Sequence, residues 1–263
     1  MSGCNRKKCP ICESDKWDIV KEISNKTYIF NVVKCQKCKF IYVLNPNFNT
    51  ISTPASNIQE RALPKSRHFQ IKTLLDNYFR KVNSTVNILE IGSGYGALSE
   101  LISNDCRYRY LGFEPSKDRA EFCQSKNLNV INDFFAETKA NNIDAIILDN
   151  VLEHVLDPKT LVKQVYSCLN KNGIVIIIVP NVFDIRQFSN NWRKRHLWQP
   201  HCHINYFSSK SKKNVLFDNG FTPFVFPVST IDWQPKHSLL ILKTFLDTIN
   251  LELFGLYCYG IKK

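Results

Sequence analysis

The chain has 263 residues, enough for one α/β domain with an appendage or for two small domains. Its composition, 44% hydrophobic and 12% aromatic, supplies a core and excludes an intrinsically disordered chain. The formal charge of +12 points to an anionic partner (nucleic acid, a phosphorylated small molecule or a membrane surface) or to a solvated lysine-rich face.

The first residues, Met1 to Lys8, lead into no apolar segment of the kind a secretory signal needs, and no apolar run is long enough to span a bilayer. The expectation is therefore a cytoplasmic protein. In that reducing setting its ten cysteines speak for metal binding rather than disulfides.

Cys9-Pro-Ile-Cys12 and Cys35-Gln-Lys-Cys38 form two CxxC knuckles. Each can place two thiolates on one ion, and two together complete the tetrahedral set that suits structural zinc. Trp17–Val33 between them alternates in places like a small hairpin. No βαβ unit surrounds either pair, which argues against a thioredoxin-type redox centre. Cys4 is a spare candidate ligand, and Cys106, Cys123, Cys168, Cys202 and Cys258 read as small buried hydrophobes. Residues 1–45 are thus expected to be a zinc module and 46–66 a linker. Periodicity is lost over Phe40–Pro64, where Pro46, Pro54 and Pro64 lie among Asn, Ser and Thr.

From residue 67 to 263 the pattern changes. A helical spacing over His68–Lys81 precedes Val86–Leu98, read as a buried strand, a turn with Gly92, Gly94 and Gly96, and a helix start. Such a turn lets the backbone approach a nucleotide cofactor. Strands at Tyr108–Phe113, Asn129–Ile131, Ile143–Leu148 and Gly173–Val179 alternate with helices at Ser116–Lys126 and Asp157–Leu169. That alternation implies a mainly parallel sheet with helices on both faces. Ligands bind such sheets at the carboxyl ends of the strands. Glu90–Gly96, Glu114-Pro115, Asp133-Phe134 and Asp149–His154 all fall at those ends.

The third glycine comes one place too early for the dinucleotide fingerprint G-x-G-x-x-G, and Glu90 precedes the turn. An acid there suits a cofactor with a positive end, an amino group or a sulfonium. Glu114 is placed to accept from two ribose hydroxyls, as an acid also does in NAD enzymes. Asp133 offers an acceptor to an adenine amino group and Phe134 a wall for the ring. Other readings remain for these residues: strand-end acids for Glu90 and Glu114, a helix cap for Asp133, a core ring for Phe134 and a structural imidazole for His154.

The segments L-E-I-G-S-G-Y-G, F-E-P-S, D-F-F, I-I-L-D-N-V-L-E-H-V with its following L-D-P, and N-G-I-V-I-I-I-V-P-N resemble, in that order, the motifs of class I S-adenosylmethionine-dependent methyltransferases, over roughly Ile71 to Phe226. The four-cysteine module and His203-Ile-Asn-Tyr-Phe-Ser208 resemble the branch that methylates sugars and nucleotide sugars. The resemblance implies a Rossmann-like seven-stranded sheet of order 3-2-1-4-5-7-6, its last strand antiparallel. It implies cofactor contacts from Glu90, Gly92, Ser93, Gly94, Tyr95, Glu114, Pro115, Asp133, Phe134, Asp149 and Asn150. At the chain's end, Phe221–Val228 and Leu253–Ile261 read as two strands around a helix at His237–Asn250.

Methyl transfer to oxygen or carbon also needs a proton removed. His203, at the family's histidine, is the first candidate, with His154, Tyr206 and His201 behind it. Asn191–Trp198 is a basic run between two tryptophans. Arg193, Lys194 and Arg195 suit a substrate phosphate, Trp192 or Trp198 could stack on a ring or sugar, and His201 adds a further polar contact. The expected reaction is methyl transfer to a sugar- or phosphate-bearing metabolite, a nucleotide-linked precursor of surface polysaccharide. An RNA- or protein-directed methyltransferase and a non-catalytic binding module are the alternatives. Against a base N-methylase, Asp149-Asn-Val-Leu is not the N/D-P-P-Y/F motif.

Overall fold

A computed structural model describes residues 5–25, 27–47, 62–184, 188–189, 197–227 and 256–263. Cys4, Trp192, Arg193, Lys194, Arg195, most of the expected linker and the helix expected at His237–Asn250 lie outside the described residues.

The N-terminal module folds around a hairpin, β1 (Trp17–Ser24) with β2 (Ile29–Cys35), continued by β3 (Ile41–Val43). Periodicity alone gave no strand at Ile41–Val43, because three residues are too few to show one. Its partner comes from far along the chain: β9 (Asn205–Tyr206) pairs antiparallel with it, Ile41 opposite Tyr206 and Tyr42 opposite Asn205. A four-stranded sheet, β1-β2-β3-β9, results.

After α1 (Ser66–Tyr78), the second sheet runs through β4 (Val86–Ile91), β5 (Tyr108–Phe113), β6 (Val130–Ile131), β7 (Ile143–Asp149), β8 (Leu169–Val179), β10 (Phe221–Pro227) and β11 (Leu256–Lys262). Its order is β10-β11-β8-β7-β4-β5-β6, which, counted within this sheet, is the expected 3-2-1-4-5-7-6 read from the other edge. Strand β11 is antiparallel to both of its neighbours, and β4, β5, β6, β7 and β8 are parallel. The described residues also form the helices α2 (Ala97–Ser103), α3 (Lys117–Ser125), α4 (Pro158–Cys168) and α5 (Ser209–Phe217). Asp157 caps α4, its carboxylate accepting from the Thr160 amide at 2.9 Å with Pro158 in the first turn.

The central strands are apolar on both faces, as a covered parallel sheet requires. Leu89, Ile91, Phe113, Ile146, Leu148, Val175 and Ile177 pack on one side in a core that also takes in Cys9, Ile11, Phe40 and Tyr42 of the module. Val86, Ile88, Tyr110, Ala145, Ile147 and Ile176 pack on the other, against Ile71 and Leu75 of α1. Cys106, expected in the interior, is exposed in the turn before β5. Among the described residues no helix is long and apolar enough to cross a membrane.

Candidate active site

Strand β4 ends in the glycine turn, and the carboxyl ends of its two neighbours in the sheet, β5 and β7, stand beside it. Gly96 has φ of +77°, and a Cβ on it would sit 2.6 Å from Leu128 Cδ1, so the turn requires glycine there both for conformation and for room. Residues Lys65, Arg67, His68, Glu90, Gly92–Leu98 in part, Arg119, Asp149, Asn150 and His154 line a crevice of about 290 Å³ over this turn.

Three acids stand around it. Glu90 is buried and accepts a short hydrogen bond from the Tyr110 hydroxyl. Burial pushes its carboxyl up to about 8, Tyr110 pulls the other way, and the charge on Asp149 adds to the rise. Room for this pair comes from Gly112, which lies opposite Glu90 in the β4–β5 register. A Cβ on Gly112 would sit 2.2 Å from Ser93 Oγ and 2.9 Å from the Tyr110 hydroxyl. Glu114, at the end of β5, accepts from the Gly94 amide at 2.8 Å and the Ser116 amide at 2.9 Å. Asp149, at the end of β7, accepts from Arg67 Nε at 2.6 Å and faces His68 Nε2 at 3.4 Å. Burial opposes its ionisation, yet His68 and the Arg67 guanidinium hold its carboxyl below the usual range.

The His68 tautomer follows from its other nitrogen. Nδ1 lies 2.9 Å from the Lys65 amide, which can only donate, so the ring proton of the neutral form sits on Nε2, toward Asp149. Tyr110, Arg67, His68 and Arg119 were missed at the sequence level. The signals available were the 3.6-residue spacing that set α1 beside the turn and the same-face placement of Tyr108, Tyr110 and Gly112 in β5.

His154 also lines the crevice, and His203 stands next to it. His154 Nδ1 lies 2.8 Å from the Cys202 carbonyl, so it is the protonated nitrogen and Nε2 is left to accept. Burial lowers its pKa from the ordinary histidine value, against the pull of that carbonyl. The His203 ring lies 5.0 Å from the His154 ring, centroid to centroid. Beside them Glu153 is buried, with no hydrogen-bond partner for either carboxylate oxygen among the described residues, and burial pushes it up to about 8.

The structure thus brings together Glu90, Gly92, Ser93, Gly94, Tyr95, Glu114, Asp149, Asn150, His154 and His203. It places others elsewhere. Phe134 is exposed and its amide is taken by the Asp133 carboxylate at 2.7 Å; neither residue lines the crevice, nor does Pro115. Tyr206 is buried in the module's core, its ring 4.8 Å from that of Trp198, and burial raises its hydroxyl's pKa well above the ordinary value. Trp198 packs there too, under Lys21, and His201 is exposed.

The four knuckle thiols converge. Cys9 and Cys38 sulfurs are 3.6 Å apart, Cys12 and Cys35 sulfurs 3.5 Å, and all four lie within 4.8 Å of one another. Zn–S bonds of about 2.3 Å in a tetrahedron put sulfurs roughly 3.8 Å apart, so the donor set and its spacing fit zinc.

The profile of a methyltransferase-domain family matches residues 56–224. No curated protein matches the chain. Among solved structures, a SAM-dependent methyltransferase from Archaeoglobus fulgidus is similar at 20% identity and TM-score 0.51, covering 74% of this chain and 94% of that one. The plantazolicin methyltransferase BpumL, in complex with a triazolic desmethylPZN analog and SAH, is similar at 17% identity and TM-score 0.57, covering 80% and 89%. The putative methyltransferase complex of Haloferax volcanii with the Trm112 activator gives 11% identity and TM-score 0.53, covering 80% and 99%. At these identities the solved structures speak for the fold, and the family rests on the profile. The chain belongs to the methyltransferase-domain family.

Proposed function

We propose that this methyltransferase acts on a small sugar- or phosphate-bearing metabolite, a nucleotide-linked precursor of surface polysaccharide, in the cytoplasm. Residues 1–45 would serve as a zinc module, 46–66 as its linker and 67–263 as the methyltransferase domain. The observation that carries the reading is the make-up of the crevice: Glu90, Asp149 and His154 line it, Glu114 stands behind it on the Gly94 amide, and the His203 ring lies 5.0 Å from that of His154.

The bound cofactor supplies an activated methyl group on a sulfonium. The chain's own residues do the rest. Glu114 takes the ribose hydroxyls, Asp149, ionised beside Arg67 and His68, favours the cofactor's positive groups, and Glu90, which holds its proton up to about 8, serves as a polar partner in the turn. The crevice residues would hold the acceptor beside the cofactor. His154 Nε2 receives the acceptor's proton, with His203 beside it. The net charge of +12 and the basic run with Arg193 and Arg195 support an anionic acceptor, and the cysteine module supports the sugar branch by its likeness to that branch.

The test is a screen with trideuteromethyl-labelled S-adenosylmethionine against nucleotide sugars, their phosphorylated relatives, peptides and RNA, read by mass spectrometry. Label on a nucleotide sugar, lost in His154→Gln, is the expected result. Label on RNA or peptide alone would overturn the acceptor class.

A further inference from the structure

The segment carrying His154 has no helix or strand to hold it; Val151–Leu156 is a run of turns after β7. Its shape is nevertheless fixed, because four of its carbonyls are claimed by the module side of the protein. The Asn205 side-chain amide donates to the carbonyls of Leu152 and Val155 at 2.8 and 2.7 Å. The backbone amides of Ile204 and Asn205 donate to that of Glu153 at 2.8 and 3.1 Å. Arg6 Nη2 donates to the carbonyls of Val155 and Leu156 at 3.3 and 2.9 Å.

Arg6 also grips the other segment. Its Nη1 donates to the Ile204 carbonyl at 3.2 Å and to Asn205 Oδ1 at 2.9 Å. That bond uses the amide oxygen of Asn205 while its nitrogen serves the two carbonyls. One guanidinium therefore ties the backbone after His154 to the backbone after His203. Arg6 is itself seated on the module. Its amide donates to the Leu44 carbonyl at 2.7 Å, its guanidinium lies 5.9 Å from the buried Tyr42 ring, and Cys9 follows three residues on. Burying a guanidinium costs less where acceptors meet its donors, and the acceptors that meet Nη1 and Nη2 belong to the two loops that bear the histidines.

We propose that Arg6 is a positioning residue for His154 and His203. Through Arg6, Asn205 and the β3–β9 pairing, the cysteine module fixes the backbone that aims both imidazoles at the acceptor side of the crevice, while the carboxylates of the cofactor side take other partners: Tyr110 for Glu90, the Gly94 and Ser116 amides for Glu114, and Arg67 with His68 for Asp149. The proposal rests on the reading of these histidines as the acceptor-side pair. A lysine at position 6 offers one nitrogen in place of a fork and cannot serve both loops.

The test uses the full chain with 15N-labelled histidine, the imidazole signals being assigned with His154→Gln and His203→Gln. In the native chain His154 should show the Nδ1-protonated tautomer. In Arg6→Lys the His154 and His203 signals should broaden and show mixed tautomers, with affinity for S-adenosylhomocysteine within twofold of native. If Arg6→Lys is insoluble, Asn205→Asp keeps the acceptor for Arg6, removes both donated bonds and should give the same spectrum. Unchanged imidazole signals would overturn the proposal, and so would cofactor affinity lost together with them. A native chain that fails to bind S-adenosylhomocysteine would refute the proposed function instead, and the imidazole comparison would still decide the role of Arg6.

Discussion

Glu114 accepts the Gly94 amide at 2.8 Å, so the end of β5 is tied to the glycine turn by the same carboxylate proposed to take the ribose. Its second oxygen accepts from the Ser116 amide at 2.9 Å, which fixes the carboxylate's orientation. Glu114→Ala should weaken cofactor binding by about 1–3 kcal/mol, the scale for hydrogen bonds to a charged acceptor. Equilibrium dialysis with labelled S-adenosylmethionine measures this, and unchanged affinity would remove Glu114 from the cofactor site.

Gly112 is a matter of volume. An added methyl would stand 2.2 Å from Ser93 Oγ and 2.9 Å from the Tyr110 hydroxyl, both fixed in the buried group around Glu90. Overpacking of this kind costs about 1–3 kcal/mol. Thermal melting should show a lowered Tm for Gly112→Ala, and an unmoved Tm would mean that the space is not closed.

The buried acids set a pH dependence of stability. Glu90 and Glu153 are both pushed up to about 8 by burial, from an ordinary 4.5. Between those values the folded chain keeps protons that the unfolded chain has lost. Their contribution therefore makes stability fall as pH rises from about 4.5 to 8. Urea unfolding at pH 5.5 and 8.0 should show a smaller difference in Glu153→Gln than in the native chain. An equal difference in both would show that Glu153 does not titrate there.

The knuckles make a compositional prediction. The purified chain should hold one zinc ion, measured by plasma emission spectrometry, and Cys35→Ser should lose it. A native chain with no metal, and indifferent to chelator, would count against the zinc module.

The fold was legible where a long segment carries its own pattern. Val86, Ile88, Leu89 and Ile91 make a short apolar pattern followed by three glycines, and Ile174–Val179 is apolar throughout, so both strands were evident before any partner was known. Ile41–Val43 was not, because its identity as a strand lies in its pairing with Asn205–Tyr206. The same holds at the site. Glu90, Glu114 and Asp149 were readable because strand ends locate them. Arg67 and His68 were not, since no local rule says which turn of a helix will face a distant carboxylate. Tyr206 shows the converse: its motif position suggested chemistry, while pairing with Ile41 puts its ring among the module's apolar side chains.

The most direct test of the central claim, that the crevice over the glycine turn is an S-adenosylmethionine site, is calorimetric titration of the purified chain with S-adenosylmethionine. One bound cofactor per chain, displaced by S-adenosylhomocysteine, is the predicted result. Absence of binding by a folded, zinc-loaded chain would contradict it.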